Sequence, residues 1–194
     1  MANVNGPFGF RPIGTIGQAG YVGKVASYTV VSGDSNAIGI GDPVCLAASS
    51  ANADGLSTAR RATVGDAVAG VCVGIKLYPA DLSLTYRKAS TAMEILVDTD
   101  PDTLYEIQED GDAGAIPATA IGLNADFILG TVDTATGNGK TALDSSSVDT
   151  TTTLGCQIIR ASSDPKNELG VAYQKFVVLL NNNRYRGNSV LGIS

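Results

Sequence analysis

Residues 92–112 read AMEILVDTDPDTLYEIQEDGD. Met93, Ile95 and Val97 alternate with Glu94 and Asp98, and beyond a polar break Tyr105 and Ile107 alternate with Glu106 and Gln108. A period of two puts one set of side chains on a buried sheet face and the other in water. The break, Asp98-Thr99-Asp100-Pro101-Asp102-Thr103, consists of residues that turn a chain rather than extend it. The pattern predicts two strands joined as a hairpin, with the other β-like runs added around it.

Those runs cover residues 21–31, 44–47, 57–64, 67–77, 121–131, 154–161 and 171–180, with the four threonines at 150–153 able to open the strand at 154. Run 57–64 reads as an edge strand, because Arg60 and Arg61 would oppose edge-to-edge pairing. Run 67–77 is almost continuously apolar and reads as central; its Gly70 and Gly74 suggest a bulge or a close approach of backbones. Residues 78–90 read as an excursion between strands. No stretch of twelve or more residues has an apolar period near 3.6. Roughly ten short strands predict an all-β fold, a β-sandwich or β-barrel.

The ends differ from the body at 21–180. Residues 1–20 hold Pro7 and Pro12, which lack the amide donor of a sheet ladder, yet also Phe8, Phe10 and Ile13. They read as an extended arm whose apolar knobs dock either on a partner or on this same domain. Residues 181–194 read as a second arm. The only charges in these two segments are Arg11, Arg184 and Arg186, so the body is more acidic than the net charge of −6 for the whole chain. An acidic body argues against a nucleic-acid-binding face, and basic arms suit an acidic partner surface.

Composition narrows the chemistry. The chain of 194 residues suits one β-rich domain with extensions, and 23 glycines with 16% charged residues fit many turns. There is no histidine, which removes the commonest general base and the commonest zinc ligand. Cys45, Cys72 and Cys156 each lie in an apolar run and match no zinc spacing, so they read as buried free thiols of a protein made in a reducing cytoplasm. No signal peptide is expected, and the apolar runs are too short to span a bilayer.

Four local patterns suggest chemistry. Asp98, Asp100, Asp102 and Glu109 match positions 1, 3, 5 and 12 of a calcium-binding helix-loop-helix loop, but Thr103 replaces the required glycine and the flanks alternate like strands. A looser calcium turn would use Asp98, Asp100, Asp102 and Asp110. Gly139-Lys140-Thr141 ends like a phosphate-binding loop, yet Thr134 stands where its first glycine belongs and no helix pattern follows. Asp98 with Glu109 could in principle form a sugar-cleaving pair, although acidic loops are commonly just solvated. No catalytic residue and no cofactor is expected.

Together, Asn5-Gly6-Pro7-Phe8-Gly9-Phe10-Arg11-Pro12, Gly41-Asp42-Pro43-Val44, Ala69-Gly70-Val71-Cys72-Val73-Gly74, Asp100-Pro101-Asp102-Thr103, Tyr105-Glu106-Ile107-Gln108-Glu109-Asp110 and Gly122-Leu123-Asn124-Ala125-Asp126 resemble, in this order, the capsid cement or head decoration proteins of tailed bacteriophages. The resemblance implies a β-sandwich or β-barrel on the outer surface of the virion capsid, bound to the major capsid protein as a homo-oligomer, most often a trimer though a dimer stays open. It implies no catalysis, and the acidic body and short apolar runs lead to the expectation of no nucleic-acid and no membrane partner. Phe8, Phe10, Arg11 and Ile13 are the expected N-terminal capsid contacts; Arg184, Tyr185 and Arg186 are the C-terminal ones. The alternative is a ligand-binding β-module, such as a carbohydrate-binding or tail-associated virion component.

Overall fold

The computed structural model describes residues 3–17, 20–51 and 55–186. Its strands are β1 (Arg11–Thr15), β2 (Val25–Val30), β3 (Pro43–Ala51), β4 (Ser57–Arg61), β5 (Val68–Ile75), β6 (Met93–Asp98), β7 (Thr103–Gln108), β8 (Asn124–Ala125), β9 (Phe127–Ile128), β10 (Ala142–Leu143), β11 (Cys156–Ala161) and β12 (Lys175–Leu180). The described helices are two single 3-10 turns, at Ala118–Ala120 and Ser145–Ser147. The fold is all-β, as the alternation predicts.

The strands sort into a closed barrel in the order β2-β4-β3-β5-β6, a five-stranded sheet in the order β1-β7-β12-β11-β8, and the small ribbon β10-β9. β6 and β7 are therefore not a hairpin. β6 pairs with β2 and β5 inside the barrel, whereas β7 pairs with β1 and β12 in the sheet. Alternation reports which side chains are buried, and that part holds: Ile95 and Val97 fill the barrel, Tyr105 and Ile107 the second core. It does not report the neighbouring strand. The connection at 99–102 has no glycine to take the positive φ of a tight hairpin turn, and it carries the chain from barrel to sheet instead.

The barrel's outer wall is half of the second core. On β3, Val44 points into the barrel while its neighbour Cys45 packs against the sheet. On β5, Val68 and Val71 both face the sheet cluster and Cys72 faces the barrel. Strict alternation would put 68 and 71 on opposite faces; a register shift beside Gly70 resets the phase. A Cβ at Gly70 would lie 2.0 Å from the Asp98 carbonyl oxygen, so the bend needs a residue without a side chain. With both faces covered, β5 is apolar throughout, as a strand buried on both sides must be.

Several expectations are corrected. β4 is not an edge: it lies between β2 and β3, and Arg60 and Arg61 bind Asp66 and Asp42 at 2.9 Å each. Glu106, Gln108 and Asp98, expected in water, are buried. The outer face of β7 is covered by the N-terminal segment and the loop before β12. Gln108 accepts from Gly6 N and donates to Val4 O and Tyr173 O, while Glu106 accepts from Arg11 and Ser162. The run at 121–131 breaks into the two-residue β8 and β9, and 150–153 is turn rather than strand.

The boundary drawn at residue 20 cuts a strand from its own sheet. β1 pairs with β7 from Arg11 opposite Glu106 to Thr15 opposite Thr103, with a bulge that accommodates Pro12 and Ile13. Just before it, Phe10 is 1% exposed and meets Tyr105 and Phe127 edge-to-face at 5.8 Å from each.

Candidate functional site

The expected contact residues of the two ends are largely fastened to the body. Phe10 is a core residue and is not available to a partner; of the two docking alternatives for this segment, its place is on the same domain. Phe8 is half-buried, with the Arg11 guanidinium 4.7 Å from its ring centroid, and Arg11 also forms an ion pair with Glu106. Ile13 is half-buried in β1. At the other end, Arg184 N donates to Val68 O, the Tyr185 and Tyr28 hydroxyls share a hydrogen bond of 2.8 Å, and Arg186 reaches Asp102 at 2.5 Å. Residues 1, 2, 18, 19 and 187–194, parts of the two expected arms, lie outside the described residues.

The four carboxylates of the looser calcium turn do not converge. Asp110 sits past the far end of β7, where its carboxylate clusters with those of Asp112 and Asp144 within 4.8 Å and accepts from Ser145 N and Oγ. Asp102 is exposed and bound to Arg186. Asp98 and Asp100 are buried together at the start of the β6–β7 connection. The helix-loop-helix alternative fails with the flanks, which are strands. Glu109, its twelfth position and half of the sugar-cleaving pair, is at the opposite end of β7 from Asp98 and accepts bonds from Ile116 N and Gln174 N.

Asp98 is wholly buried. It accepts from Tyr105 OH at 3.1 Å and from Asp100 N at 3.2 Å, and burial raises its carboxyl above the usual range. The Thr103 hydroxyl faces both Asp98 and Tyr105, and Tyr21 OH faces Asp98, without an aligned hydrogen bond in either case. Burial and then the Asp98 charge push the Tyr21 phenol up to about 12. Asp100 differs. Against the upward push of burial, Lys24 at 2.8 Å and the Asp102 amide hold its carboxyl below the ordinary range.

The other buried ionisable groups tie loops together. Arg87, 0% exposed, donates to the carbonyls of Val31, Asp34, Asn36 and Thr91 and so clamps the excursion between β5 and β6 onto the loop after β2. Asp42 accepts from Gly39 N, Arg61 and Thr141 Oγ1, which joins barrel to ribbon. The three cysteines are buried and free. Sequence reasoning missed Arg87, Asp42 and the Thr15–Thr103 pair, because a polar residue inside an irregular run carries no periodic signal.

The surface offers two further features. The excursion after β5 exposes Leu77 (76%) and Leu82 (69%). Beside Phe8 a groove of about 590 Å³ is lined by Asn5, Asp133, Thr136, Asn138 and Lys140. Among the described residues no helix is long and apolar enough to cross a membrane. Fold and site together define an all-β protein in which a closed barrel packs against a five-stranded sheet. Comparison with protein families, with curated proteins and with solved structures finds no match.

Proposed function

We propose that this chain is a structural virion protein that binds the outer surface of a phage icosahedral capsid and stabilises contacts between major capsid proteins, acting as a homo-oligomer, with a trimer preferred. The observation that carries the reading is spatial: the segments that bear the resemblance lock onto one another. Phe10 N donates to Gly41 O at 2.8 Å, and a Cβ at Gly9 would meet the Gly41 backbone. Gly41 N donates to Cys72 O and Cys72 N to Asp42 O. Glycines that look like separate turn signals along the chain form one packed unit, so their order is a joint constraint. The role is mechanical. A scaffold cross-tied by Arg87 and Asp42 presents apolar and cationic contacts, and many copies resist outward pressure through avidity. Its contacts are Phe8, Arg11, Ile13, Arg184, Tyr185 and Arg186, joined by Leu77 and Leu82; Phe10 leaves the set.

Co-sedimentation with undecorated phage heads tests this reading. Deleting residues 1–20 would remove Phe10 and β1 and unfold the sheet, so the informative variant is Leu77→Asp with Leu82→Asp, at exposed positions. The wild type pellets saturably with heads and the double variant loses most of that binding. Absence of wild-type binding to a cognate head refutes the proposal.

The groove beside Phe8 favours a second reading, a carbohydrate-binding module. An aromatic face beside Asn5, Asp133 and Asn138 suits a sugar's C–H face and hydroxyls. Oligosaccharide binding lost in Asn138→Ala, with no binding to heads, would select it.

A further inference from the structure

The N-terminal segment and the loop before β12 enclose a cavity of about 510 Å³, lined by Val4, Pro165, Lys166, Tyr173 and Lys175 together with the amides of Asn3 and Gln108. Those two amides fix its walls. Asn3 Nδ2 donates to Glu168 O at 2.8 Å and its Oδ1 accepts from Glu168 N at 2.9 Å, which pins the segment to the loop. The buried Gln108 accepts from Gly6 N and donates to Val4 O and Tyr173 O, so one side chain holds both walls. Tyr173 has a φ of +67°, one of two positive values among the described residues other than glycine. That conformation suits glycine and disfavours a bulky side chain, so what the tyrosine contributes here is its ring. The ring rests on Gly111, where a Cβ would lie 3.0 Å from it, and is thereby held in place as a wall.

The groups left over select the ligand. The Asn3 and Gln108 amides are taken up by the walls, so the cavity has few polar groups to spare for the many hydroxyls of a sugar. Val4, Pro165 and the Tyr173 ring supply apolar surface. Two ammoniums line the cavity and no carboxylate does. Asp164, outside the lining, binds Lys175 at 2.6 Å and is also lowered by the charge of Lys166. One acid between two lysines leaves a positive excess, in a chain whose net charge is −6. A flat apolar body with a single anionic group meets that set. We propose that this cavity binds a small aromatic carboxylate, its ring against Tyr173 and its carboxylate on Lys166. Lys166 is the anchor, because Lys175 is already engaged by Asp164 and adds only its field. The cavity shares no residue with the groove beside Phe8, and its volume lies within the range of about 300–1,000 Å³ that small-molecule sites occupy. This inference stands independently of the capsid reading.

Titration of the full chain with 2-naphthoate, followed by saturation-transfer NMR, tests it. Saturable binding is expected. The neutral 2-naphthamide should bind at least about tenfold more weakly, through loss of a charge-assisted hydrogen bond. Lys166→Ala, at an exposed position, should weaken naphthoate binding to the same extent, and Lys166→Arg should retain it. Tyr173→Gly suits the backbone at this φ and should abolish binding while circular dichroism shows the fold intact. Absence of saturable naphthoate binding overturns the proposal. So does equal affinity for the acid and the amide. So does binding that Lys166→Ala and Tyr173→Gly leave unchanged but Phe8→Ala removes, which would place the ligand in the groove beside Phe8.

Discussion

The hydroxyl of Tyr105 donates to Asp98 Oδ2 at 3.1 Å, and this one bond joins the last residue of a barrel strand to the third residue of a sheet strand. Both groups are buried, so neither finds water when the other is removed. Tyr105→Phe keeps the ring that packs on Phe10 and deletes only the donor. It should lower unfolding free energy by about 1–3 kcal/mol, the cost of leaving a buried carboxyl short of a partner. Urea denaturation reads this as a lower midpoint at unchanged slope.

Phe10 and Phe8 stand two residues apart with opposite expectations. Phe10→Ala removes a ring from between Tyr105 and Phe127 and should destabilise the fold by about 3–5 kcal/mol. Phe8→Ala trims a half-buried ring and should cost under about 1 kcal/mol. Thermal melts of the two variants side by side check this; equal shifts would show that the N-terminal segment is not anchored through Phe10.

Glu109 gives stability a pH dependence of known sign. Burial raises its carboxyl above the ordinary range, although Ile116 N and Gln174 N donate to it. The folded state thus holds this proton more tightly than the unfolded chain. The group's contribution is most favourable below the unfolded value of 4.5 and is lost as pH climbs through the raised folded value. The stability of wild type minus that of Glu109→Gln should therefore fall as pH rises from about 4.5 and then level off. A difference that increases with pH would overturn this assignment.

The thiols should be silent until the protein unfolds. Burial pushes Cys45 and Cys72 up to about 12 and Cys156 higher still, with the nearby Asp66, Asp42 and Asp126 carboxylates adding to it. Thiolate is the reactive form, so a disulfide-exchange reagent at pH 8 should find almost none in the native protein. All three should react in denaturant, at the rate of unfolding. Rapid native labelling of Cys45, the one thiol with a carboxylate and an arginine beside it, would contradict its burial.

How far the sequence carried the fold follows from what periodicity measures. The alternation of Met93, Ile95 and Val97, and of Tyr105 and Ile107, located β6 and β7 and chose their buried faces correctly. It could not show that these strands belong to different sheets, since pairing is a long-range choice. The outer face of β7 was misread because Glu106 and Gln108 look solvated, and only the fold brings Arg11 and Gly6 over them. β8, β9 and β10, at two residues each, are too short to display any period. Of the candidate site, Asp98 and Asp100 were visible as an acidic turn. Thr15 and Tyr21 were not, for their neighbourhood exists only once β1 has met β7.

That meeting has a consequence for synthesis. Arg11 lies 95 residues before its partner Glu106, so β1 must wait in the nascent chain for the strand it pairs with. β7 in turn pairs with β12, some seventy residues later still, the last strand among the described residues. The sheet therefore cannot close until β12 has emerged. Phe10 and its neighbours stay uncovered in the nascent chain until β7 has emerged, and early release or stalling before that point would leave an apolar strand in search of any partner.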